Sequence, residues 1–173
     1  MSQKKEERMS KISLFHGSLV EVRHPLVNVG RKDLDFGQGF YVTDIKEQAI
    51  KWANTLKGRT DDNNATAYLN VYELEQDNLS NYRILLFKEY DFNWLDFICR
   101  SRRGEHPWKN FDIIEGGIAN DSVIDTVDAY MSDLIDAKTA LGKLAFHKPN
   151  NQICILNQRI IDLYLHFISS KTI

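Results

Sequence analysis

Phe36-Gly37-Gln38-Gly39-Phe40-Tyr41-Val42-Thr43 is the stretch from which the rest of this chain can be read. Glycines one residue apart allow a tight turn with close backbone approach, and the aromatic, β-branched run after them is strand-forming. It is not a dinucleotide fingerprint, because no third glycine follows at the right spacing and no strand leads into it; the Walker A pattern is absent too. Gly39 to Thr43 is therefore expected to be a short strand entered from a glycine turn. Upstream, Val20 to Gln38 holds Pro25, Gly30 and Gly37 without a clean period, which predicts a long loop of the kind that often carries function. Before it, Ile12 to Leu19 reads as a strand with Ile12, Leu14 and His16 on one face and Ser13, Phe15 and Gly17 on the other. Downstream, Asp44 reads as an N-cap, with Glu47 completing a capping box. The helix it opens carries Ile45, Ala49, Trp52, Ala53 and Leu56 on one stripe and stops at Gly58.

Further along, Thr66–Leu74 and Tyr82–Phe87 read as strands, Tyr90–Arg103 as a helix and Asp112–Ala119 as a strand ending at Asn120-Asp121. From Asp121 the apolar residues Val123, Ile124, Val127, Tyr130, Met131, Leu134 and Ile135 predict one amphipathic helix reaching Asp136. A second helical stretch runs through Ala140, Leu141, Leu144 and Ala145 and is stopped by Pro149. Gln152–Leu156 and Leu163–Ile168 read as closing strands. The class is α+β, with about six to eight strands and three or four helices.

The 173 residues form one domain, expected over residues 11–173, behind a polar N-terminal tail over residues 1–10 that is expected to be mobile. Lys plus Arg is 22 against 24 Asp plus Glu, a net charge of −2, which argues against a dedicated nucleic-acid binder. No apolar run is long enough to span a bilayer, the first residues have no apolar core of a secretory signal, and Cys99 and Cys154 have no metal-ligand spacing. A cytoplasmic protein without a bound metal or a membrane partner is the reading these features favour.

Four features carry chemistry. His16-Gly17-Ser18 ends the first strand, where a ring nitrogen can hold a ligand hydroxyl and a glycine admits a ligand to the backbone. By itself this is equally a strand that ends in a turn, with His16 satisfied in the core. Gly37-Gln38-Gly39 feeds Tyr41, and read alone it is equally a turn into a core strand. Tyr41 and Trp52, on a strand and on the helix after it, can face each other and stack a flat heterocycle, or can both be core. Gln152 heads an otherwise apolar strand and needs a hydrogen-bond partner from protein, water or ligand.

In this order, Leu14-Phe15-His16-Gly17-Ser18, Phe36-Gly37-Gln38-Gly39-Phe40-Tyr41, Trp52 eleven residues on, and Gln152 at the head of a late strand, the chain resembles the ADP-ribosyltransferase superfamily. The likeness is to the clade of diphtheria toxin and the poly(ADP-ribose) polymerases, whose signature is His, Tyr and then Glu or another polar residue. It covers Ile12–Trp52 and Asn151–Leu156, with the middle matched only in the order of strands and helices. A group of bacterial proteins that tend to sit beside small partner genes, as toxins do with antitoxins, is more similar still. It shares the Phe-Gly-x-Gly-Phe-Tyr run, the Trp94–Ile98 stretch and the Asp112–Asp121 stretch.

The resemblance implies a split β-sheet core with flanking helices and cleavage of the nicotinamide–ribose bond of NAD+, the ADP-ribose passing to a protein or nucleic-acid acceptor. It implies that Tyr41 and Trp52 sandwich the nicotinamide, that the Gly17 backbone grips its carboxamide with help from Ser18, and that His16 binds a ribose hydroxyl. Gly39 belongs to the same binding motif, and His16, Tyr41 and Gln152 form the catalytic triplet. Two residues depart from the pattern. Gln152 stands where the polymerases have glutamate, so a hydrogen bond is kept and a charge is lost, which favours transfer of a single ADP-ribose. Ala49 stands where they have a serine that bonds the carboxamide.

Two other readings stay open at this point. One is a catalytically weak or inactive module that binds NAD+ or ADP-ribose, kept alive by Gln152. The other is an interaction protein that works through Asp121–Asp136, because Asp112 to Asp136 holds seven acids and no Lys or Arg. The cluster Arg100-Ser101-Arg102-Arg103 with Lys109 is either a phosphate receiver or the usual cationic end of a helix.

Overall fold

The computed structural model describes residues 10–119, 121–147 and 150–173, so most of the expected tail, together with Asn120 and Pro149, lies outside the described residues. The strands are β1 (Lys11–Ser18), β2 (Phe40–Val42), β3 (Tyr68–Glu75), β4 (Ile84–Leu86), β5 (Ile113–Gly116), β6 (Gln152–Ile155) and β7 (Leu165–Thr172). The α-helices are α1 (Lys46–Arg59), α2 (Phe92–Arg102), α3 (Asp121–Met131), α4 (Ala137–Leu144) and α5 (Gln158–Tyr164). The α+β class expected from the sequence stands.

The strands form two sheets, β1-β3-β7 and β2-β6-β5-β4, antiparallel except for the β4–β5 pair. Leu14, Tyr72 and Leu74 of the first sheet meet Phe40, Val42, Ile113, Ile153 and Ile155 of the second, sealed by Ile160, Ile161 and Leu165. A second core lies on the far face of the four-stranded sheet, where Ile114 and Cys154 pack under Trp94, Leu95, Ile98, Val123, Val127, Ala140 and Leu144. Alternation along β6 explains both, since Ile153 and Ile155 enter one core and Cys154 the other.

Several local expectations are corrected. Asp44 does not cap α1; the N-cap is Ile45, with no side-chain cap bond, and the Asp44 carboxylate instead accepts from Asn151. The expected single helix to Asp136 ends at Met131. Asp133, at φ +57°, closes it with Asp133 N–H bonded to Tyr130 and Leu134 N–H to Ala129, and Asp136 then caps α4. The expected strand at Leu163 is the end of α5, opened by the Asn157 cap, and β7 starts at Leu165. The long loop before β2 is tied down by side chains: Gln158 holds Val27 N–H and the Pro25 carbonyl, and Gln38 donates to the carbonyls of Asn28 and Gly30.

Candidate functional site

The two sheets touch where β1 meets the end of β2. Phe15 and Thr43 exchange both backbone hydrogen bonds there, 2.8 and 2.9 Å long, on the edge of β1 that faces away from β3. Backbone groups alternate in direction along a strand, so the N–H and C=O of Gly17 point to this same edge. By the same alternation the Tyr41 N–H points from β2 towards β1. The strands separate beyond Thr43, and what bridges them is a side chain: His16 Nδ1 lies 2.7 Å from the Tyr41 carbonyl. A carbonyl only accepts, so Nδ1 carries the proton. Burial pushes the His16 pKa below its ordinary 6.5, against the pull of the Tyr41 bond. The ring is therefore neutral at pH 7, and Nε2 keeps a lone pair that can accept from a ligand hydroxyl.

This state has a pH consequence. Above about 6.5 the imidazole is neutral in folded and unfolded chains alike, and its contribution to stability is fully present. Below that value the unfolded chain takes up a proton that the folded chain refuses, so stability falls until the pH passes the depressed folded pKa. For one proton the slope is at most about 1.4 kcal/mol per pH unit. His16→Asn puts an amide donor where Nδ1 stands and titrates nowhere in this range. Urea unfolding between pH 7.5 and 5 should show wild type losing stability faster than the variant, and parallel profiles would contradict the assignment.

Tyr41 is half-buried and neutral, its pKa raised by burial. Its hydroxyl donates to the Gly37 carbonyl (2.7 Å) and accepts from Phe36 N–H (3.2 Å), so only the ring is left for a ligand. Gly37, at φ +87°, lies flat on Trp108, whose ring atoms come within 2.2 Å of where a Cβ would stand. Gly39 has a packing reason as well: a Cβ there would meet Cys154 Sγ and the Ile155 carbonyl at 2.6 Å. Ser18 is committed inside the protein, its hydroxyl donating to Val20 O (2.6 Å) and accepting from Asn70 (3.0 Å).

Trp52 is not on the buried stripe of α1. Ala49 and Ala53 are buried, whereas Trp52 is 49 % exposed. The cause is Gly17: α1 lies so close on β1 that only alanines fit between them, and a Cβ on Gly17 would stand 2.0 Å from the Ala49 carbonyl oxygen. The indole is turned to the flank of α1 that carries Gln48 one turn earlier. Gln48 donates to the Asn151 carbonyl at 2.7 Å, so this flank looks towards the head of β6. Among the described residues no ring contact joins Trp52 to Tyr41; its recorded partner is Arg59, 5.8 Å from the ring centroid.

Gln152, half-buried, pairs with Gly116 of β5 and shares its sheet face with Cys154, which is opposite Tyr41. Continuing the register puts Thr43 level with Gln152 and Gly17 level with Tyr41. The structure thus brings His16, Gly17 and Tyr41 to one seam, while Trp52 stands on α1, which packs on β1, and Gln152 at the head of β6. Two open grooves among the described residues lie elsewhere, about 650 Å³ between β4 and α2 and about 700 Å³ between α3 and α4. Size is the weaker guide, because strand-edge groups of buried Gly17, without a partner among the described residues, and the histidine converge at the seam.

The charge clusters find structural uses. Arg102 is paired with Asp35 (2.8 Å) and Asp128 (3.0 Å), and Arg100 with Glu105 (2.8 Å), while Arg103 and Lys109 of the cluster are exposed. Sequence reasoning passed over Asn70, which is fully buried. Its amide nitrogen faces Ser18 Oγ and the carbonyls of His16 and Val20, and its oxygen accepts Val22 N–H. The available signal was a lone amide in the middle of a Tyr- and Val-rich strand. Among the described residues no cluster of three His, Cys, Asp or Glu side chains offers a metal site, and no helix is long and apolar enough to cross a membrane.

Residues 12–167 match the model of the family described as "Protein of unknown function (DUF3990)". No curated protein and no solved structure matches the chain.

Proposed function

The chain belongs to the DUF3990 family, and we propose that it is an NAD+-dependent mono-ADP-ribosyltransferase whose site is the seam between β1 and β2. The observation that carries this reading is the open strand edge at Gly17, flanked by a neutral, Nδ1-protonated His16. One edge of a carboxamide offers an N–H donor beside its C=O acceptor in a plane, which is what a strand-edge C=O and N–H recognise. In this reading Gly17 holds the nicotinamide carboxamide, and the rings of Tyr41 and Trp52 lie on the two sides of the heterocycle. His16 Nε2 accepts from a ribose hydroxyl. The half-exposed Trp52 also favours the reading, because a tryptophan that only packed the core would be buried. The two sheets meeting at one seam agree with an ADP-ribosyltransferase-like split core.

The bond between nicotinamide and ribose breaks as positive charge grows on the ribose, and nicotinamide leaves as a neutral ring. Gln152 can accept from the 2′-hydroxyl of that ribose but brings no charge, so stabilisation of the cation is weaker than a glutamate would give. A weak or inactive NAD+ binder is the second reading, and Gln152 is the feature that favours it. The acceptor is a protein or nucleic-acid group. A small antitoxin covering the seam, in a cytoplasmic toxin pair, is the partner this reading expects.

Incubation with NAD+ and detection of free nicotinamide tests both. Turnover supports the transferase, binding without turnover supports the inactive module, and absence of binding removes the site. Trp52→Ala sharpens the result. Affinity for NAD+ should fall by about 1–3 kcal/mol, as for loss of one stacking face, while stability changes by less than about 1 kcal/mol because the ring is half-exposed. Unchanged NAD+ affinity in this variant would take Trp52 out of the site.

A further inference from the structure

Asn151, immediately before Gln152, is the centre of a polar knot. Its Nδ2 donates to Asp44 Oδ1 (3.0 Å) and to Glu115 Oε1 (2.9 Å). Its backbone carbonyl accepts from Thr43 Oγ1 and from Gln48 Nε2, both at 2.7 Å. One residue thereby joins the head of β6 to the end of β2, to β5 and to α1. Each carboxylate takes one of the two amide hydrogens, no ion pair among the described residues neutralises either carboxylate, and Gln48 Oε1 is buried without a hydrogen-bond partner. Buried acceptors are normally satisfied, and groups held against that rule cluster where geometry serves function.

Resting on the transferase reading above, we infer that Asn151 is a positioning residue for the reaction: its side chain, tied to Asp44 and Glu115, holds its own carbonyl against Thr43 and Gln48 and so sets Gln152 opposite the helix flank that carries Trp52. Thr43 and Gln48 are the two arms of this device, one reaching from the seam and the other from the helix. Asn151 touches no reacting atom. It acts by fixing where the Gln152 amide stands when charge grows on the ribose. A group displaced by about 1 Å can lose about a hundredfold in rate with little change in ground-state binding.

Nicotinamide release from NAD+ and amide hydrogen exchange at Gln152 and Ile153 test this in the full chain. Asn151→Ala should lower kcat tenfold or more, leave KM within threefold, and speed exchange at the head of β6. Asn151→Asp places a carboxylate against Asp44 and Glu115 and should lower kcat at least as far. Adding Glu115→Gln to Asn151→Asp restores a donor to that carboxylate, and kcat should return to within a few-fold of wild type. If Asn151→Ala does not fold, the comparison of Asn151→Asp with and without Glu115→Gln stands in for it. Unchanged kcat, a KM raised as much as kcat falls, or no rescue in the double variant overturns the inference while the site stands. No nicotinamide release from wild type overturns the transferase reading and this inference with it.

Discussion

Gln152→Ala is expected to cut nicotinamide release by about a hundredfold or more, with a smaller change in NAD+ affinity. The side chain shares a sheet face with Cys154, and Cys154 is opposite Tyr41, so Gln152 borders the ring to which the proposed reading gives nicotinamide stacking. In that reading its contribution grows with the charge on the ribose, which makes it a term in kcat. Gln152→Glu is the complementary change. It puts a carboxylate beside the forming cation and should raise hydrolysis of NAD+ to ADP-ribose, since a charged acceptor stabilises an oxocarbenium-like state more than a neutral amide does. Both variants should keep wild-type stability to within about 1 kcal/mol, because the residue is only half-buried. Nicotinamide release equal to wild type in both would place Gln152 outside the site.

Gly17→Ala is the largest effect expected on the fold. The added methyl would stand 2.0 Å from Ala49 O, 3.0 Å from Ala49 C and 3.0 Å from Ala53 N, all backbone atoms that cannot swing aside. The helix α1 must lift from β1, opening the contact that Ala49 and Ala53 now bury. A loss of about 3 kcal/mol or more follows, at the upper end for overpacking, with the urea midpoint lowered and the slope unchanged. Gly58→Ala is the control. It lies in the same helix, nothing stands within 4 Å of its Cβ position, and alanine there should be neutral or slightly stabilising. Equal stability of Gly17→Ala and wild type would show that the close approach of α1 to β1 is wrong. If the variant folds but loses NAD+, the shift of α1 has carried Trp52 away from the seam.

Much of the candidate site is legible in order and spacing. His16, Gly17, Tyr41, Trp52 and Gln152 stand out in the chain, because a histidine, a glycine pair, two aromatics and a lone amide interrupt otherwise regular strands and helices. Their roles were less legible. Ser18 looked like a ligand group by its place next to Gly17, yet its hydroxyl is held by Val20 and Asn70. Gly39 looked like a ligand-approach glycine, and β6 fills the space beside it. The acidic run after Asp112 reads in the sequence as a solvated face or as an interaction face. Three of its acids serve other ends, Asp128 in an ion pair, Asp133 as a left-handed helix end and Asp136 as an N-cap.

The sequence by itself determined the class, the order of the seven strands and of α1 to α4, and the two faces of β1, because alternation and helical periodicity are local and survive in one dimension. It also determined that Gly17 is small and that Trp52 is aromatic. Only the tertiary structure decided what those residues meet. Whether Trp52 is core or wall depends on how closely α1 lies on β1, and that distance is set by Gly17, thirty-five residues away in the chain. Whether Asp44 caps a helix or holds Asn151 depends on where β6 arrives, 107 residues later. Contacts between distant segments are chosen by packing of the whole, and they override a local preference worth about 1 kcal/mol whenever they bury or satisfy more than it does.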